Sequence, residues 1–275
     1  MIRSGLLGRA IMASRSPWLH EQEAKALGLD LTYELFDFTE RGLDDADLPA
    51  IVARLRDEGF AGFNVTYPFK QAIIPLLDEL SESAAMVGAV NTVAVRDGRL
   101  IGHNTDMPGF RDSLLAGLPD ARLDHVMQLG AGGAGAAVAN ALLSLGVKRL
   151  ELVDVDSARA TLLAQELTQR FPSAQVFATA LADLDTASVD GIVNATPIGM
   201  AARPGTPIPL DALAPRHWVA DIIYFPPETE LLRVARSKGC RAINGIGMVV
   251  GQAALALEII TGHRPDTARM QHSLT

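Results

Sequence analysis

Short apolar runs punctuated by glycine and proline alternate along the chain with stretches whose apolar positions recur at helical spacing. From the N-terminus this pattern predicts a strand over Gly5–Gly8, a helix after Pro17, an alternating strand over Thr32–Phe38, a helix over Asp47–Glu58 and a strand over Gly62–Thr66. Helical stretches over Gln71–Leu80 and Glu82–Val87 follow. A hairpin of Asn91–Val95 and Arg99–Gly102 comes next, turning at Asp97-Gly98. After a short helix over Pro108–Ala116 the alternation becomes strict, with strands at Val126–Leu129, Leu150–Val153, Val176–Ala178, Gly191–Asn194, Val219–Ile223 and Arg241–Ile243. Their continuous apolar character suits parallel strands covered on both faces. The last helical pattern, Gly247–Thr261, is apolar nearly all round and is expected to pack into an interface between domains.

At 275 residues the chain is long enough for one large or two smaller domains. The change of pattern places the boundary near residues 104–122. The expected organisation is α/β in two domains. Residues 1–105, joined by a C-terminal helical segment over 247–275, would form an α/β substrate domain, and residues 106–246 a Rossmann-type doubly wound parallel sheet. Composition narrows the function. A single cysteine, Cys240, permits no internal disulfide and no all-cysteine metal site, so a reducing, cytoplasmic setting is expected. The net charge of −8, with no basic run, argues against nucleic acid. No 18 apolar residues run together, and the N-terminal stretch lacks a signal-peptide core, so the chain reads as soluble and unprocessed. The six histidines show no metal-ligand spacing, and no metal is expected.

The segment Val126-Met-Gln-Leu-Gly130-Ala-Gly132-Gly133-Ala-Gly135 places G-x-G-x-x-G between an apolar strand and an Ala-rich helix, the context of a dinucleotide fingerprint. Gly130 would permit the tight turn, Gly132 the approach of backbone N–H groups to a pyrophosphate, and Gly135 close helix–strand packing. The helix N-terminus supplies the positive end of the helix dipole. Asp154 ends the next strand 24 positions after Gly130, close to the spacing of about 20 at which an acid reads the adenosine ribose. It would repel a 2′-phosphate, favouring NAD over NADP. Arg159, just beyond, could instead bind that phosphate or pack on adenine. Asp154 and Asp156 could also simply cap the following helix.

Three polar segments precede the fingerprint: Ser14-Arg-Ser16-Pro17, Asn64-Val-Thr66-Tyr-Pro68-Phe-Lys70, and Gly88-Ala-Val-Asn91-Thr92 with Asn104-Thr105-Asp106. With Asn194-Ala-Thr-Pro-Ile-Gly-Met200, Asp221-Ile-Ile-Tyr224 and Gly245-Ile-Gly-Met248 leading to Gln252, the chain resembles the shikimate dehydrogenase family, including its quinate/shikimate branch, over nearly its whole length. The resemblance implies a nicotinamide-dependent oxidoreductase acting on shikimate, with quinate as a further substrate. It implies that Ser14 and Ser16 bind the substrate carboxylate, and that Thr66, Lys70, Asn91, Asp106 and Gln252 hold the ring hydroxyls with Tyr224 nearby. Lys70 and Asp106 would be the catalytic pair. Gly130, Ala131, Gly132, Gly133 and Ala134 would form the pyrophosphate loop, and Thr196, Ile222, Gly245 and Met248 would lie along the ribose–nicotinamide end.

Oxidising a secondary alcohol removes a hydride from carbon and a proton from oxygen, so a proton-relaying group within hydrogen-bond reach is required. The reading makes Lys70 the relay and Asp106 its positioner. The bland readings are that Ser14 and Ser16 cap the helix after Pro17, that Asp106 caps the helix at Pro108, and that Lys70 is a solvated charge. Gln252, on an apolar helix, reads as a buried polar group in need of a partner. The turn after the second nucleotide-domain strand carries Asp154-Val-Asp156 where biosynthetic relatives typically carry Asn-Arg-Thr, which favours NAD; Ser16, where quinate users carry threonine, leans toward shikimate. Rival expectations are a dehydrogenase for a related hydroxylated ring acid such as an aminoshikimate intermediate, and a non-catalytic NAD- or ligand-sensing module. A short-chain dehydrogenase is less attractive because no Tyr-x-x-x-Lys occurs, and a zinc alcohol dehydrogenase because its cysteines are missing. A small-molecule partner, a monomer or homodimer, and closure of a cleft that excludes water complete the expectations.

Overall fold

The computed structural model describes residues 1–274. The chain forms two compact units: residues 1–107 with 250 onward, and residues 108–249.

The first unit begins with β1 (Ile2–Gly8), α1 (Ser16–Ala26), β2 (Leu31–Asp37), α2 (Leu48–Asp57) and β3 (Gly62–Val65). It continues through α3 (Phe69–Ala72), β4 (Glu79–Leu80), α4 (Glu82–Val87), β5 (Thr92–Arg96), β6 (Arg99–His103) and the start of α5 (Asp106–Gly117). Its sheet runs β2-β1-β3-β5-β6-β4, with β1 parallel to β2 and β3, and β5 antiparallel to β3 and β6. The β5–β6 turn has positive φ at both Asp97 (52°) and Gly98 (76°), the primed geometry that matches strand twist. One expectation fails. Gln71–Leu80 is not a helix: Pro75 lacks the N–H a helix interior needs, so the segment divides into α3, a 3₁₀ turn at Ile74–Leu76 and β4. Glu79 and Leu80 then pair in parallel with Ile101 and Gly102. Phe36, Phe38, Phe60, Phe63 and Phe69 fill the core of this unit, each fully buried and each stabilising by roughly 1.5–3 kcal/mol.

The second unit holds β7 (His125–Leu129), α6 (Gly133–Ser144), β8 (Arg149–Val153), α7 (Ser157–Arg170), β9 (Gln175–Thr179), β10 (Gly191–Asn194), β11 (Trp218–Asp221), α8 (Glu230–Ser237) and β12 (Arg241–Ile243). All six strands are parallel, in the order β12-β11-β10-β7-β8-β9. This is the doubly wound order whose switch point lies beside the first strand. β11 stops two residues before the expected end, because the Asp221 side chain takes the Ile223 N–H at 3.0 Å and turns the backbone away.

α9 (Ile246–Thr261) and α10 (Thr267–Leu274) close the chain. The sequence reading runs one helical segment over 247–275; the structure divides it, with Gly262 at φ +75° and Pro265 between α9 and α10. Within the first unit, the Arg269 guanidinium donates to both oxygens of buried Glu23 on α1, at 2.7 and 2.6 Å, and the Asp266 N–H donates to Glu23 at 2.7 Å. Leu257 of α9 joins Leu6, Leu31 and Tyr33 in a second apolar cluster.

Candidate active site

In the first unit the polar segments converge on the ends of β1, β3 and β5. The Lys70 ammonium, on one-turn α3, donates to Asp106 Oδ2 at 2.6 Å, with side chains only 18% and 9% exposed. A solvated lysine is therefore not what the sequence produced. Nor does Asp106 cap α5: the Met107 N–H goes to Asn104 Oδ1 at 3.0 Å, which leaves the Asp106 carboxylate for Lys70. Beside the pair, Asn91 accepts the Thr105 N–H at 2.8 Å and donates to Thr105 Oγ1 at 2.9 Å. These bonds fix the Asn91 amide and tie the β5 entrance to the Asn104-Thr105-Asp106 turn.

Ser14 and Ser16 face each other, the Ser14 hydroxyl donating to Ser16 Oγ at 3.1 Å and accepting the Ser16 N–H at 3.2 Å. Neither caps α1, whose N-cap is Arg15 with no side-chain bond. The loop carrying them is shaped by a residue the sequence reading passed over. Asp37, at the end of β2, accepts N–H groups from Ala10 and Thr39 on Oδ1 and from Ile11 and Met12 on Oδ2, at 2.7–3.1 Å. Burial pushes its carboxyl up, but the N–H donors outweigh that and hold it below the usual carboxylate range. Tyr33 and Asn64 were likewise missed. The buried Tyr33 phenol donates to Asn64 Oδ1 at 2.8 Å, while Asn64 donates to the Asn91 carbonyl and Thr92 Oγ1. Asn64 stands inside a quoted segment and Tyr33 within β2, but neither carries a spacing signal that marks its role. Thr66 follows β3 directly, its N–H on the Leu7 carbonyl at 2.9 Å. Gln252 lies on α9 and is half-buried rather than buried, because the apolar surround of its helix does not close over it.

In the second unit, Gly130 has φ +98°, and a Cβ there would lie 2.6 Å from the Ala195 carbonyl oxygen. A Cβ on Gly135 would lie 2.3 Å from the Gly130 oxygen. Both glycines are thus demanded by the fold itself. Gly132 is not: its φ of −75° suits any residue and a Cβ there meets nothing within 4 Å. That open space sits at the N-cap of α6, where the first N–H groups of a helix have no intrahelical partner. Gly133 and Ala134 are half-buried and form the first turn, while Ala131 is buried. The arrangement fits an anionic group brought close to backbone, as a dinucleotide pyrophosphate requires.

Asp154, nearly buried, accepts the Ala131 N–H at 2.7 Å and the Asp156 N–H at 2.9 Å. Capping of α7 falls to Asp156, which accepts the Arg159 N–H at 3.2 Å. The Arg159 side chain pairs with Asp156 at 3.2 Å and lies 3.8 Å from Asp154. Thr196 follows β10, its N–H and hydroxyl both on Asn194 Oδ1. Ile222 and half-buried Tyr224 follow β11. Gly245 and buried Met248 stand at the start of α9, and a Cβ on Gly245 would overlap the Ile222 carbonyl. Among the described residues no group of three or more His, Cys, Asp or Glu could hold a metal, and no helix is long and apolar enough to cross a membrane.

Both family-model matches fall chiefly in the first unit. Residues 6–93 match the model of the shikimate dehydrogenase substrate binding domain, and residues 245–275 that of the shikimate 5′-dehydrogenase C-terminal domain. A shikimate dehydrogenase (NADP(+)) of Pseudarthrobacter chlorophenolicus is 50% identical over 97% of this chain and 92% of its own. A quinate/shikimate dehydrogenase (NAD(+)) of Corynebacterium efficiens is 44% identical over 97% and 95%. Among solved structures, quinate dehydrogenase from Corynebacterium glutamicum in complex with NAD superposes with a TM-score of 0.93 at 42% identity, covering 99% of this chain and 98% of that one.

Proposed function

The chain belongs to the shikimate dehydrogenase family, and from that membership we propose that it is an oxidoreductase interconverting shikimate and 3-dehydroshikimate, with quinate as a second substrate and NAD as the preferred dinucleotide. The observation that carries the proposal is the Lys70–Asp106 pair at 2.6 Å, set beside the fixed amide of Asn91 in the same unit as Ser14 and Ser16.

The bound nicotinamide supplies the hydride donor or acceptor, the one part of the chemistry that amino-acid side chains cannot provide. The chain's own residues do the rest. Ser14 and Ser16 offer hydroxyls to the substrate carboxylate. Thr66, Asn91 and Gln252 hold ring hydroxyls. Lys70 hydrogen-bonds the reacting oxygen, gives it a proton when a carbonyl is reduced and receives one when the alcohol is oxidised. Asp106 fixes the ammonium so that its donors point at that oxygen.

Gly130–Ala134 cradle the pyrophosphate, and Thr196, Ile222, Gly245 and Met248 line the path of the nicotinamide half. NAD preference rests on Asp154, a carboxylate at the ribose position that repels a 2′-phosphate, with Arg159 drawn onto Asp156 rather than left free for such a phosphate. Relatives named for NADP(+) reach 50% identity and those named for NAD(+) 44%, so the dinucleotide is tested directly. Initial rates of nicotinamide reduction are measured with shikimate and with quinate, each with NAD and NADP. The expected order places NAD with shikimate first. Faster turnover with NADP would overturn the role given to Asp154, and turnover with neither acid would overturn the substrate.

A further inference from the structure

Gln128 is a polar residue in the middle of a buried apolar strand, with no exposed surface at all. Its Nε2 donates to the Gly130 carbonyl and to the Gly135 carbonyl, both at 2.8 Å. Its Oε1 has no partner. The amide cannot be turned over to relieve that oxygen, because it would then face two carbonyl oxygens. A side chain kept only for packing would be better apolar, so the bonds made by its NH2 group are the feature that needs explaining.

The Gly130 carbonyl and the Ala131 N–H belong to one peptide unit. Gln128 holds its oxygen at 2.8 Å, and Asp154 holds its N–H at 2.7 Å. The unit follows a residue at φ +98°, where the absence of a Cβ makes rotation of the peptide plane easy. Rotation would swing a carbonyl dipole toward the phosphate-binding face, where negative potential opposes an anion. We propose that Gln128 is a positioning residue for dinucleotide binding, clamping the Gly130–Ala131 peptide between the start of α6 and Asp154 so that the Gly130 carbonyl stays turned into the fold and the N–H face stays presented. Asp154 then has a second task besides reading the ribose. The proposal rests on the reading of residues 130–134 as the pyrophosphate loop.

The test uses Gln128→Met, which keeps length and removes the two donors, together with Asp154→Asn, the double variant and Gly132→Asp. Dissociation constants for NAD are measured by calorimetry, with kcat and the KM of each substrate. Gln128→Met is expected to raise the dissociation constant and KM for NAD about 10-fold, leaving kcat and the KM for the acid within about twofold, since one hydrogen-bond contact is worth about a factor of ten. The double variant should lose less than the product of the single losses, because both act on one peptide unit. In the unsubstituted enzyme the Ala131 amide should exchange hydrogen more slowly than that of Gly132, a measurement that needs no variant to fold. Unchanged NAD affinity in Gln128→Met, strict multiplicativity, or fast exchange at Ala131 would each overturn the clamp, provided Gly132→Asp abolishes NAD binding. If Gly132→Asp binds NAD normally, the loop reading itself falls and the clamp with it.

Discussion

Adding a single methyl group to Gly132 or to Gly135 separates the two reasons a chain keeps glycine in a phosphate-binding turn. At Gly132 the backbone lies in the extended region and the new Cβ meets only open space, so Gly132→Ala should stabilise by about 0.4–1 kcal/mol through the unfolded chain. At about 2–4 °C per kcal/mol this raises Tm by roughly 1–4 °C. At Gly135 the new Cβ would stand 2.3 Å from a backbone oxygen, which only a shift of helix against strand can relieve. Overpacking of that kind costs about 1–3 kcal/mol, a fall in Tm of roughly 2–12 °C. Affinity should rank differently. Gly132→Ala puts its methyl where the pyrophosphate must approach, and loss of one hydrogen bond to a charged group, about 1.5–3 kcal/mol, weakens NAD binding by roughly 10- to 150-fold. Thermal unfolding and calorimetric titration with NAD on the same samples read both quantities. A Gly132→Ala enzyme that binds NAD like the unsubstituted one, or that loses as much Tm as Gly135→Ala, would refute the reasoning.

Lys70→Met should lower kcat by at least about 100-fold; it also strands a nearly buried carboxylate, costing about 3–5 kcal/mol, so Lys70→Met/Asp106→Asn should recover stability in a denaturant titration without recovering turnover. His20, buried against Tyr33, has its imidazole pushed down to about 4 by burial. The unfolded chain takes up a proton near 6.5 and the folded one refuses it, so stability is full above that value and declines by about 3 kcal/mol on going to pH 4. His20→Gln should remove that part of the slope in urea titrations at pH 7, 5.5 and 4, while the downward-shifted His103 and His217 retain theirs. Asp37→Asn sets an NH2 group among backbone donors and should cost about 1.5–3 kcal/mol with a raised KM for the acid. Because the Asp37 carboxyl is depressed, its contribution exists above about pH 3.9 and fades below it, so wild type and variant should converge in acid.

The order of strands and helices was legible because apolar runs of differing length and period mark them directly, and the second unit reproduced its six strands almost residue for residue. The errors have local causes. Ile73, Ile74, Leu76 and Leu77 recur at helical spacing, yet the proline among them forbids the helix, and the pairing that makes a strand of Glu79–Leu80 lies on β6, out of reach of any local window. The functional side chains divided in the same way. Lys70 and Asp106 stand 36 positions apart, and no periodicity brings them together; only a resemblance of whole segments picked them out. Gln128 carried no signal within the strand Val126–Leu129, because the carbonyls it holds are brought to it by the turn and helix that follow. Asp37 was passed over because three of its five N–H partners, Ala10, Ile11 and Met12, lie in a distant loop with no pattern of its own, while Thr39 and Glu40 follow it directly.

The unit that carries Lys70 and Asp106 is built from both ends of the chain, and this sets an order of events during synthesis. Its first strand and helix leave the ribosome early, but Glu23 has no arginine to bind, and the cluster around Tyr33 lacks Leu257, until α9 and α10 have emerged. An unpaired buried carboxylate opposes folding. The nucleotide unit, encoded as one uninterrupted stretch, meets no such wait. The residues of the parallel-sheet unit are therefore all present in the nascent chain before the unit that carries Lys70 and Asp106 receives its last two helices.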